Sequence, residues 1–443
     1  MDGFIFLNPF LGKVVFQDMK KKRVGIILLD VISIVLLIQF VDVSAQKISA
    51  QRGAYYMGIY RDLFVELLGE KESEVQSKLD SAFDQIFFGD AKIQRVYYPV
   101  DDSMAYIEDV EDHDVRTEGM SYGMMIAVQM NRKDVFDRLW KWADTYMRAK
   151  SGPHKGYFAW HCKTDGTVLD PGAASDGEEW FTMSLFFASG RWGNGTGIFD
   201  YLGQARDILN TMLHKESEVD HGDITDMFNS KAHLVVFVPD GRAAEFTDPS
   251  YQLPHYYELW ARWANQDNQF WCDAANASRT LLENSASPVT GLAPDYCQFD
   301  GKSVASRYGG HRDFRFDAWR VAMNVANDYE WFGEDEWEIT ECNRLLNFFT
   351  EQGISDYGNL YSLEGKKLGM DHSKGLVASN AVAALASTNA ERKDFVEALW
   401  NTRVPTGQYR YYDGMLYMLG MLQVSGNFRI YDPTGKSVPA CSK

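Results

Sequence analysis

Hydrophobic residues recur at every third or fourth position through most of the chain, which is the spacing of one face of an α-helix. Twelve segments carry this pattern, at 74–88, 118–130, 134–149, 178–189, 200–214, 253–265, 268–285, 317–330, 335–351, 373–387, 391–401 and 412–424. Strand-like alternation is rare, so the sequence predicts an all-α protein. Long polar and aromatic connections separate the helices, notably 90–116, 151–177, 215–252 and 286–316, and connections of that length usually carry function.

The first 45 residues resemble a leader rather than part of the fold. A basic cluster, Lys20–Arg23, precedes the apolar run Val24–Val41, and the small residues 43–45 follow. This order predicts a secretory signal peptide that is cleaved after Ala45. A membrane anchor is the alternative, since about 18 apolar residues just span a bilayer. Asp30 inside the run favours cleavage.

Translation is predicted to start at Met19, which makes residues 1–18 an upstream extension. Residues 46–443 contain no linker rich in Pro, Gly or Ser, and we expect them to form one domain. The protein is therefore predicted to be exported, either to the periplasm or into the medium, with no stable membrane span after signal cleavage.

The composition narrows the possible partners. The formal net charge of −18 excludes a nucleic-acid partner, because phosphate binding requires a basic surface. A neutral substrate fits better, and we expect a monomer. Five widely spaced cysteines indicate neither a disulfide framework nor a zinc site, although a single disulfide in an exported protein stays open.

One carboxylate stands where the chain enters a strongly apolar helix. Glu118 follows Thr117, a predicted N-cap, and the helix behind it is apolar on nearly every face. Burial raises the pKa of a carboxyl group and suits it to proton donation. The alternative is that Glu118 only complements the helix dipole. Gly119, Gly123 and Ala127 form a small-residue stripe on which a neighbour can pack closely.

A second acid opens another buried helix. Ser175 and Glu178 have the spacing of a capping box and predict a helix start. This capping role leaves Asp176 unexplained. Two buried helices that each begin with an acid suggest a shared cleft.

A third acid, Asp317, opens the helical pattern at 317–330, with Arg320 three residues later on the same face. An arginine that keeps a carboxylate ionised is what a general base requires. The alternatives are an ordinary ion pair without catalytic function, or Asp313 as the functional acid.

Aromatic residues accompany these acids in sequence, and flat rings suit the apolar faces of pyranose sugars. Trp160, in a glycine-flanked loop before Asp176, is predicted to lie in the cleft. A tyrosine cluster, Tyr409, Tyr411 and Tyr412, is also noted. Five tryptophans within helical patterns are assigned to packing, namely Trp142, Trp260, Trp263, Trp271 and Trp337.

Three segments together resemble the acid-bearing motifs of glycoside hydrolase family 8. They are Thr-Glu-Gly-Met-Ser-Tyr-Gly-Met at 117–124, Ala-Ser-Asp-Gly-Glu at 174–178 and Phe-Asp-Ala-Trp-Arg at 316–320. In the middle motif Glu178 stands where Asp is usual. The resemblance implies an (α/α)6 barrel of six inner and six outer helices, inverting hydrolysis of β-1,4-linked glycans, and no metal or organic cofactor.

Carried over residue by residue, the resemblance makes Glu118 the general acid and Asp317 the general base. Asp176 becomes the third acid, which binds and distorts the sugar. Four further residues are predicted to bind substrate: Trp160, Tyr122, Arg320 and His372. A helix N-terminus lowers the pKa of a carboxyl group, so we expect burial and the charge of Asp176 to keep Glu118 protonated.

Within this family, the sequence is most similar to members that release xylose from the reducing end of xylo-oligosaccharides. His372, in the loop before the helix at 373–387, matches a histidine that closes the cleft in those enzymes. The alternative is that His372 is simply a polar residue near a helix N-terminus and does not close the cleft. An endo-1,4-β-xylanase, or another β-1,4-glycanase of the family, is the alternative activity.

Two other classes of protein, a glycan-binding barrel and a polysaccharide lyase, would also account for parts of this sequence. A glycan-binding barrel without activity would keep the aromatic residues and could lose an acid, yet all three acids are present. A polysaccharide lyase would place cations around a Tyr/His pair, and the acidic composition disfavours it. The cationic cluster that fits a lyase comprises Arg307, His311, Arg312, Arg315 and Arg320.

Overall fold

The computed structural model describes residues 53–305, 310–435 and 441, so the predicted extension and signal peptide at 1–45 lie outside the described residues. In the described part there are twelve α-helices of ten or more residues, and they coincide with the twelve predicted segments to within a few residues. They are α1 (Glu72–Phe88), α2 (Thr117–Gln129), α3 (Lys133–Trp142), α4 (Ser175–Trp192), α5 (Tyr201–His214), α6 (Pro254–Trp263), α7 (Asn268–Ser285), α8 (Trp319–Phe332), α9 (Glu336–Gln352), α10 (Lys374–Ala383), α11 (Arg392–Asn401) and α12 (Tyr412–Val424). A four-residue helix, Ala54–Met57, and a π-helix, Phe64–Leu68, precede α1.

The even-numbered helices form an inner ring. α2 packs on α4, α6 on α8, α8 on α10, α10 on α12, and α12 returns to α2. Between α4 and α6 the ring closes through Trp180 and Tyr256, whose ring centroids are 5.3 Å apart. The odd-numbered helices pack against the outside of this ring. The fold is therefore the predicted (α/α)6 barrel.

Burial separates the two rings. All of α12 from Gly414 to Val424 is buried, and so is α2 from Gly119 to Gln129, because an inner helix has neighbours on every side. The predicted small-residue stripe allows close approach. A Cβ on Gly119 would lie 2.5 Å from the ring of Tyr411, and one on Gly123 would lie 3.1 Å from Leu139 of α3.

Among the residues that the structure describes, seven strands of two or three residues lie in the long connections and form three small antiparallel sheets. They are β1 (Tyr97–Pro99), β2 (Ala105–Ile107), β3 (Asp114–Arg116), β4 (His161–Lys163), β5 (Val168–Asp170), β6 (Phe228–Asn229) and β7 (Leu234–Val235). The sheet β3-β4-β5 fixes the entries to α2 and α4. Its β3 runs straight into α2, where the Thr117 N–H donates to the Trp160 carbonyl at 3.0 Å.

The predicted helix caps are wrong. α2 begins at Thr117 itself, and α4 begins at Ser175, with no side-chain cap at either N-cap position. The Ser175 hydroxyl donates to a distant carbonyl, and Glu178 accepts the buried backbone N–H of Phe158 at 2.9 Å. A buried backbone N–H in a loop needs an acceptor. The N–H of Phe158 therefore takes Glu178 as its acceptor, although the spacing in the sequence assigned this side chain to the helix cap.

The tryptophan assignments hold. Trp142, Trp260, Trp263 and Trp271 are at most 1% exposed, and Trp337 is partly buried against the same core. One disulfide joins Cys272 of α7 to Cys441, which ties the end of the chain to an outer helix. None of the helices in the part of the chain that the structure describes has both the length and the hydrophobicity needed to cross a bilayer.

Candidate active site

The three predicted acids lie at the N-terminal ends of three inner helices. Glu118 and Asp176 are the second residues of α2 and α4. Asp317 lies in a 3-10 turn, Phe316–Ala318, which leads into α8, so the helix starts two residues later than predicted. Asp313, the rival to Asp317, is not among the residues that line the adjoining cleft.

Arg320 brings the three acids together. Its Nη1 lies 3.1 Å from Glu118 Oε2 and 3.1 Å from Asp176 Oδ2, and its Nη2 lies 2.9 Å from Asp317 Oδ1. The sequence predicted only the contact with Asp317. The shared site inferred from acids at helix entrances is confirmed, and a single guanidinium connects it.

Two of the residues predicted to bind substrate lie behind the acids. The guanidinium of Arg320 is 5% exposed and is occupied by carboxylates, the Ser250 hydroxyl and the Tyr122 hydroxyl. Tyr122 is 1% exposed and accepts a hydrogen bond from Arg320. Neither side chain is among those that line the cleft beside the acids, and their contact with the sugar stays a prediction.

Burial sets the protonation of the acids. It raises the pKa of Glu118 to about 7, against the opposing charge of Arg320 and with the help of the charges of Asp176 and Asp317. The Tyr411 hydroxyl, which donates to Glu118 Oε1 at 2.9 Å, also lowers this pKa. Burial likewise raises the pKa of Asp176 to about 6, again opposed by Arg320.

A cleft of about 710 Å³ opens in front of the acids. Glu118 and Asp317 line it and keep 20% and 29% of their side-chain surface exposed. Aromatic rings provide much of the remaining wall: Phe316, Trp319, Tyr409, Tyr411 and Tyr412. The tyrosine cluster noted in the sequence therefore faces this site, although no role was assigned to it.

His372 and Trp160 have different positions. His372 lines the cleft, and its Nδ1 lies 3.0 Å from the Tyr357 carbonyl. A carbonyl only accepts, so Nδ1 carries a proton and donates it to this carbonyl. Trp160 is partly exposed and stacks on His161 with ring centroids 4.6 Å apart, but it is not part of the wall of this cleft.

Two further acids beside Asp317 were not predicted from the sequence. Carboxylate oxygens of Asp248, Asp295 and Asp317 lie within 4.8 Å of one another. Among the described residues this is the one group of potential metal ligands close enough to share an ion. Asp248 already accepts the Ser250 N–H at 2.7 Å, and Asp295 contacts His311.

Two cations of the lyase alternative, Arg320 and His311, are already paired with carboxylates. Arg320 is bound to carboxylates, and His311 Nδ1 pairs with Asp295. Arg307 lies outside the described residues. With Arg320 and His311 already paired to carboxylates, the acidic sugar of a lyase substrate would meet carboxylates at the cleft wall.

Comparison with known proteins gives a consistent result. The reducing-end xylose-releasing exo-oligoxylanase Rex8A of Paenibacillus barcinonensis is 47% identical over 384 residues, which cover 86% of this chain and 99% of that protein. The reducing end xylose-releasing exo-oligoxylanase of Halalkalibacterium halodurans is 45% identical over 389 residues, covering 87% and 97%.

Solved structures agree. Rex8A complexed with xylose superposes with a TM-score of 0.82 at 47% identity, covering 86% of this chain and 99% of that one. A Teredinibacter turnerae xylanase, solved as a catalytic mutant with xylohexaose, gives a TM-score of 0.83 at 45% identity, covering 86% and 100%. The family model for glycosyl hydrolases family 8 matches residues 105–426. The chain, a glycoside hydrolase, belongs to glycosyl hydrolases family 8.

Proposed function

We propose that this enzyme hydrolyses β-1,4-xylosidic bonds in xylo-oligosaccharides with inversion and releases xylose from the reducing end. The observation that carries the proposal is the set of three acids on Arg320, two of which line a cleft walled by aromatic rings. The relatives of known activity, at 45–47% identity over nearly their whole length, support the substrate class.

Glu118 is the proposed general acid. A carboxyl group with a pKa of about 7 is still largely protonated in mildly acidic solution and can donate to the departing glycosidic oxygen. The hydrogen bond from Tyr411 and the contact with Arg320 hold the carboxyl group at the cleft wall. Proton donation from a fixed position is what a poor leaving group requires.

Asp317 is the proposed general base, and it is the most exposed of the three acids. Glu118 contacts Nη1 of the Arg320 guanidinium and Asp317 contacts Nη2. Inverting glycosidases need a separation of roughly 6.5–9.5 Å so that a water fits between the base and the sugar. Asp176, 4% exposed beside them, is the proposed third acid that distorts the sugar.

His372 is proposed to close the reducing-end side of the cleft. It lies on the wall, and its Nδ1 is fixed by the Tyr357 carbonyl. Trp160 is proposed to contact sugar units further from the bond that is cleaved. Replacing His372 with Ala should let longer leaving groups enter, and an unchanged product pattern would count against its role.

An endo-1,4-β-xylanase is the second candidate, because the Teredinibacter turnerae relative is described as a xylanase at comparable identity. The product profile on xylotriose to xylohexaose and on polymeric xylan, with the anomer followed by NMR, distinguishes the two. Xylose plus the oligomer shorter by one unit, released as the α-anomer while xylan stays nearly intact, is the expected result. A ladder of internal fragments from xylan would favour the endo-enzyme.

We also propose that the protein is exported and works as a monomer. The order of basic, apolar and small residues at 20–45 supports export, and the disulfide Cys272–Cys441 suits an oxidising compartment. The monomer is proposed because the three acids already meet within one chain, so their assembly requires no second copy. N-terminal sequencing of the mature protein and light scattering of the purified enzyme test these two statements.

A further inference from the structure

Two buried acids stand beside the proposed general base and have no part in the mechanism above. Asp248 is 0% exposed and Asp295 is 1% exposed, whereas the Asp317 side chain keeps 29% of its surface open. The nearest carboxylate oxygens of the three lie within 4.8 Å of one another. This distance is short enough for one water to bridge any two of them.

Both buried acids hold the backbone around the site. Asp248 Oδ1 accepts the Ser250 N–H at 2.7 Å and so fixes the turn Pro249–Tyr251, while its Oδ2 has no hydrogen-bond partner among the described residues. Asp295 Oδ1 accepts the N–H of Ala318, the residue after Asp317, at 3.3 Å. Asp295 Oδ2 pairs with His311. One carboxylate oxygen of Asp248 belongs to the cluster that surrounds the base, and Oδ2 is the Asp248 oxygen that no described residue contacts by a hydrogen bond.

Three carboxylates this close cannot all be ionised. Burial raises the pKa of Asp248 well above its usual range, and the charges of Asp317 and Asp295 raise it further, against Arg320. The charged and titratable groups that act on Asp248 or respond to it are Asp295, Asp317, Arg320, Tyr251, Tyr296 and Cys297. The one cation of this set, Arg320, already contacts three acids, so Asp248, the most deeply buried of the three carboxyl groups, retains its proton.

We propose that Asp248 is a positioning residue for the general base: a neutral carboxyl group whose proton points toward Asp317 across a gap that one water bridges. Asp295 completes the arrangement by holding the backbone directly after Asp317. The proposal rests on the proposed function, which makes Asp317 the base. It gives a role to the buried Oδ2 of Asp248, which has no hydrogen-bond partner among the described residues, since a protonated Oδ2 can donate toward the base.

Two substitutions separate positioning from simple turn formation. Asp248→Asn keeps the shape, the acceptor for Ser250 and a donor in place of the carboxyl proton. Asp248→Ser keeps an acceptor for the turn but is too short to reach Asp317. We expect Asp248→Asn to keep kcat within about twofold, and Asp248→Ser to lower kcat by about tenfold or more at an unchanged KM and a similar Tm, because a displaced base loses part of the roughly 10²- to 10⁴-fold that it contributes.

The pH dependence of kcat/KM provides a second readout, which is available even if Asp248→Ser does not fold. Replacing a neutral group with a neutral group should leave the acidic limb of Asp248→Asn where it is in the wild type. A limb that moves to lower pH would mean that Asp248 is ionised, and would overturn the proposal. Equal kcat values for Asp248→Ser and Asp248→Asn would reduce Asp248 to a turn residue and overturn it too.

Asp317→Asn, measured alongside, separates this proposal from the function on which it rests. An active Asp317→Asn enzyme would remove the base assignment and the proposal together. An inactive Asp317→Asn enzyme combined with a fully active Asp248→Ser enzyme would overturn only the role of Asp248.

Discussion

Two buried arginines each connect acids from different parts of the chain, and the two clusters differ in charge balance. Arg279 of α7 grips Asp328 of α8 through Nε and Nη2, at 2.6 and 2.9 Å, and contacts Glu258 of α6 at 3.1 Å. Glu258 is also paired with Arg262 at 2.6 Å. The four side chains of this first cluster are at most 6% exposed, whereas two of the three acids that contact Arg320 line the cleft.

The difference shows why one cluster of buried ion pairs stabilises the fold while the other can take part in catalysis. In the Arg279 cluster two guanidiniums make their closest contacts with two carboxylates, while Glu334 lies 4.0 Å from Arg279 and Glu338 donates a hydrogen bond to Asp328. Burial alone would raise the pKa of Asp328, but Arg279 and this hydrogen bond bring it below its usual value. In the Arg320 cluster one guanidinium contacts three carboxylates. Its charge does not offset the effect of burial, and the pKa of Glu118 rises to about 7. An excess of acids beside a cleft therefore stores a proton that chemistry can use.

The largest expected effect comes from removing a reacting acid. Glu118→Gln and Asp317→Asn should each lower kcat/KM on xylotriose by about 10²- to 10⁴-fold, because each loses one general acid or base. Fold and Tm near pH 5 should change little. A β-xylobiosyl fluoride, whose leaving group needs no protonation, should restore activity to Glu118→Gln and not to Asp317→Asn. Equal rescue of both variants would contradict the assigned roles.

Breaking the balanced cluster should cost stability instead of activity. Arg279→Met leaves buried carboxylates without their partner, and the free energy of unfolding should fall by about 3–5 kcal/mol. The kcat of the folded enzyme should stay close to that of the wild type. Lys71→Met, which removes a lysine from an exposed pair with Glu74, is the matched control and should leave the free energy of unfolding nearly unchanged, because solvent screens an exposed pair. A loss of activity without a loss of stability would erase the distinction between the clusters.

A smaller effect tests the coupling within the Arg320 cluster. The charge of Asp176 helps to raise the pKa of Glu118, so Asp176→Asn should lower that pKa. The alkaline limb of kcat/KM should then move to lower pH by about half to one unit. Asp328→Asn, in the balanced cluster, should leave the limb in place. An unmoved limb in Asp176→Asn would show that the two acids are not coupled.

The smallest effect concerns stability and pH. Because the pKa of Glu118 is higher in the folded enzyme than its ordinary value near 4.5, folding loses stability as the pH rises from about 4.5 through 7. Glu118→Gln removes this cost. Its Tm should match the wild type near pH 4 and exceed it by about 1–3 °C at pH 8. A lower Tm than the wild type at pH 8 would contradict a destabilising, protonated Glu118.

The helices and the three acids were predictable, because periodicity and short motifs are local properties of a sequence. The cluster on Arg320 was only partly predictable. Its contact with Asp317 spans one helical turn, whereas those with Glu118 and Asp176 join residues 202 and 144 positions apart. No spacing rule brings Arg320 to distant acids, or Asp248 and Asp295 to Asp317. The failed caps have the same cause, since loops distant in sequence compete for the side chains at helix ends.

The proposed catalytic mechanism depends most directly on the protonation of Glu118 in the free enzyme. A titration of the side-chain carboxyl carbon in protein labelled with ¹³C-glutamate, with Glu118→Gln to assign the signal, measures its pKa. We expect this carboxyl group to titrate with a midpoint of about 7. A midpoint near the ordinary value of about 4.3 for glutamate would mean that Glu118 is ionised at working pH, and would contradict its role as the acid of the cluster.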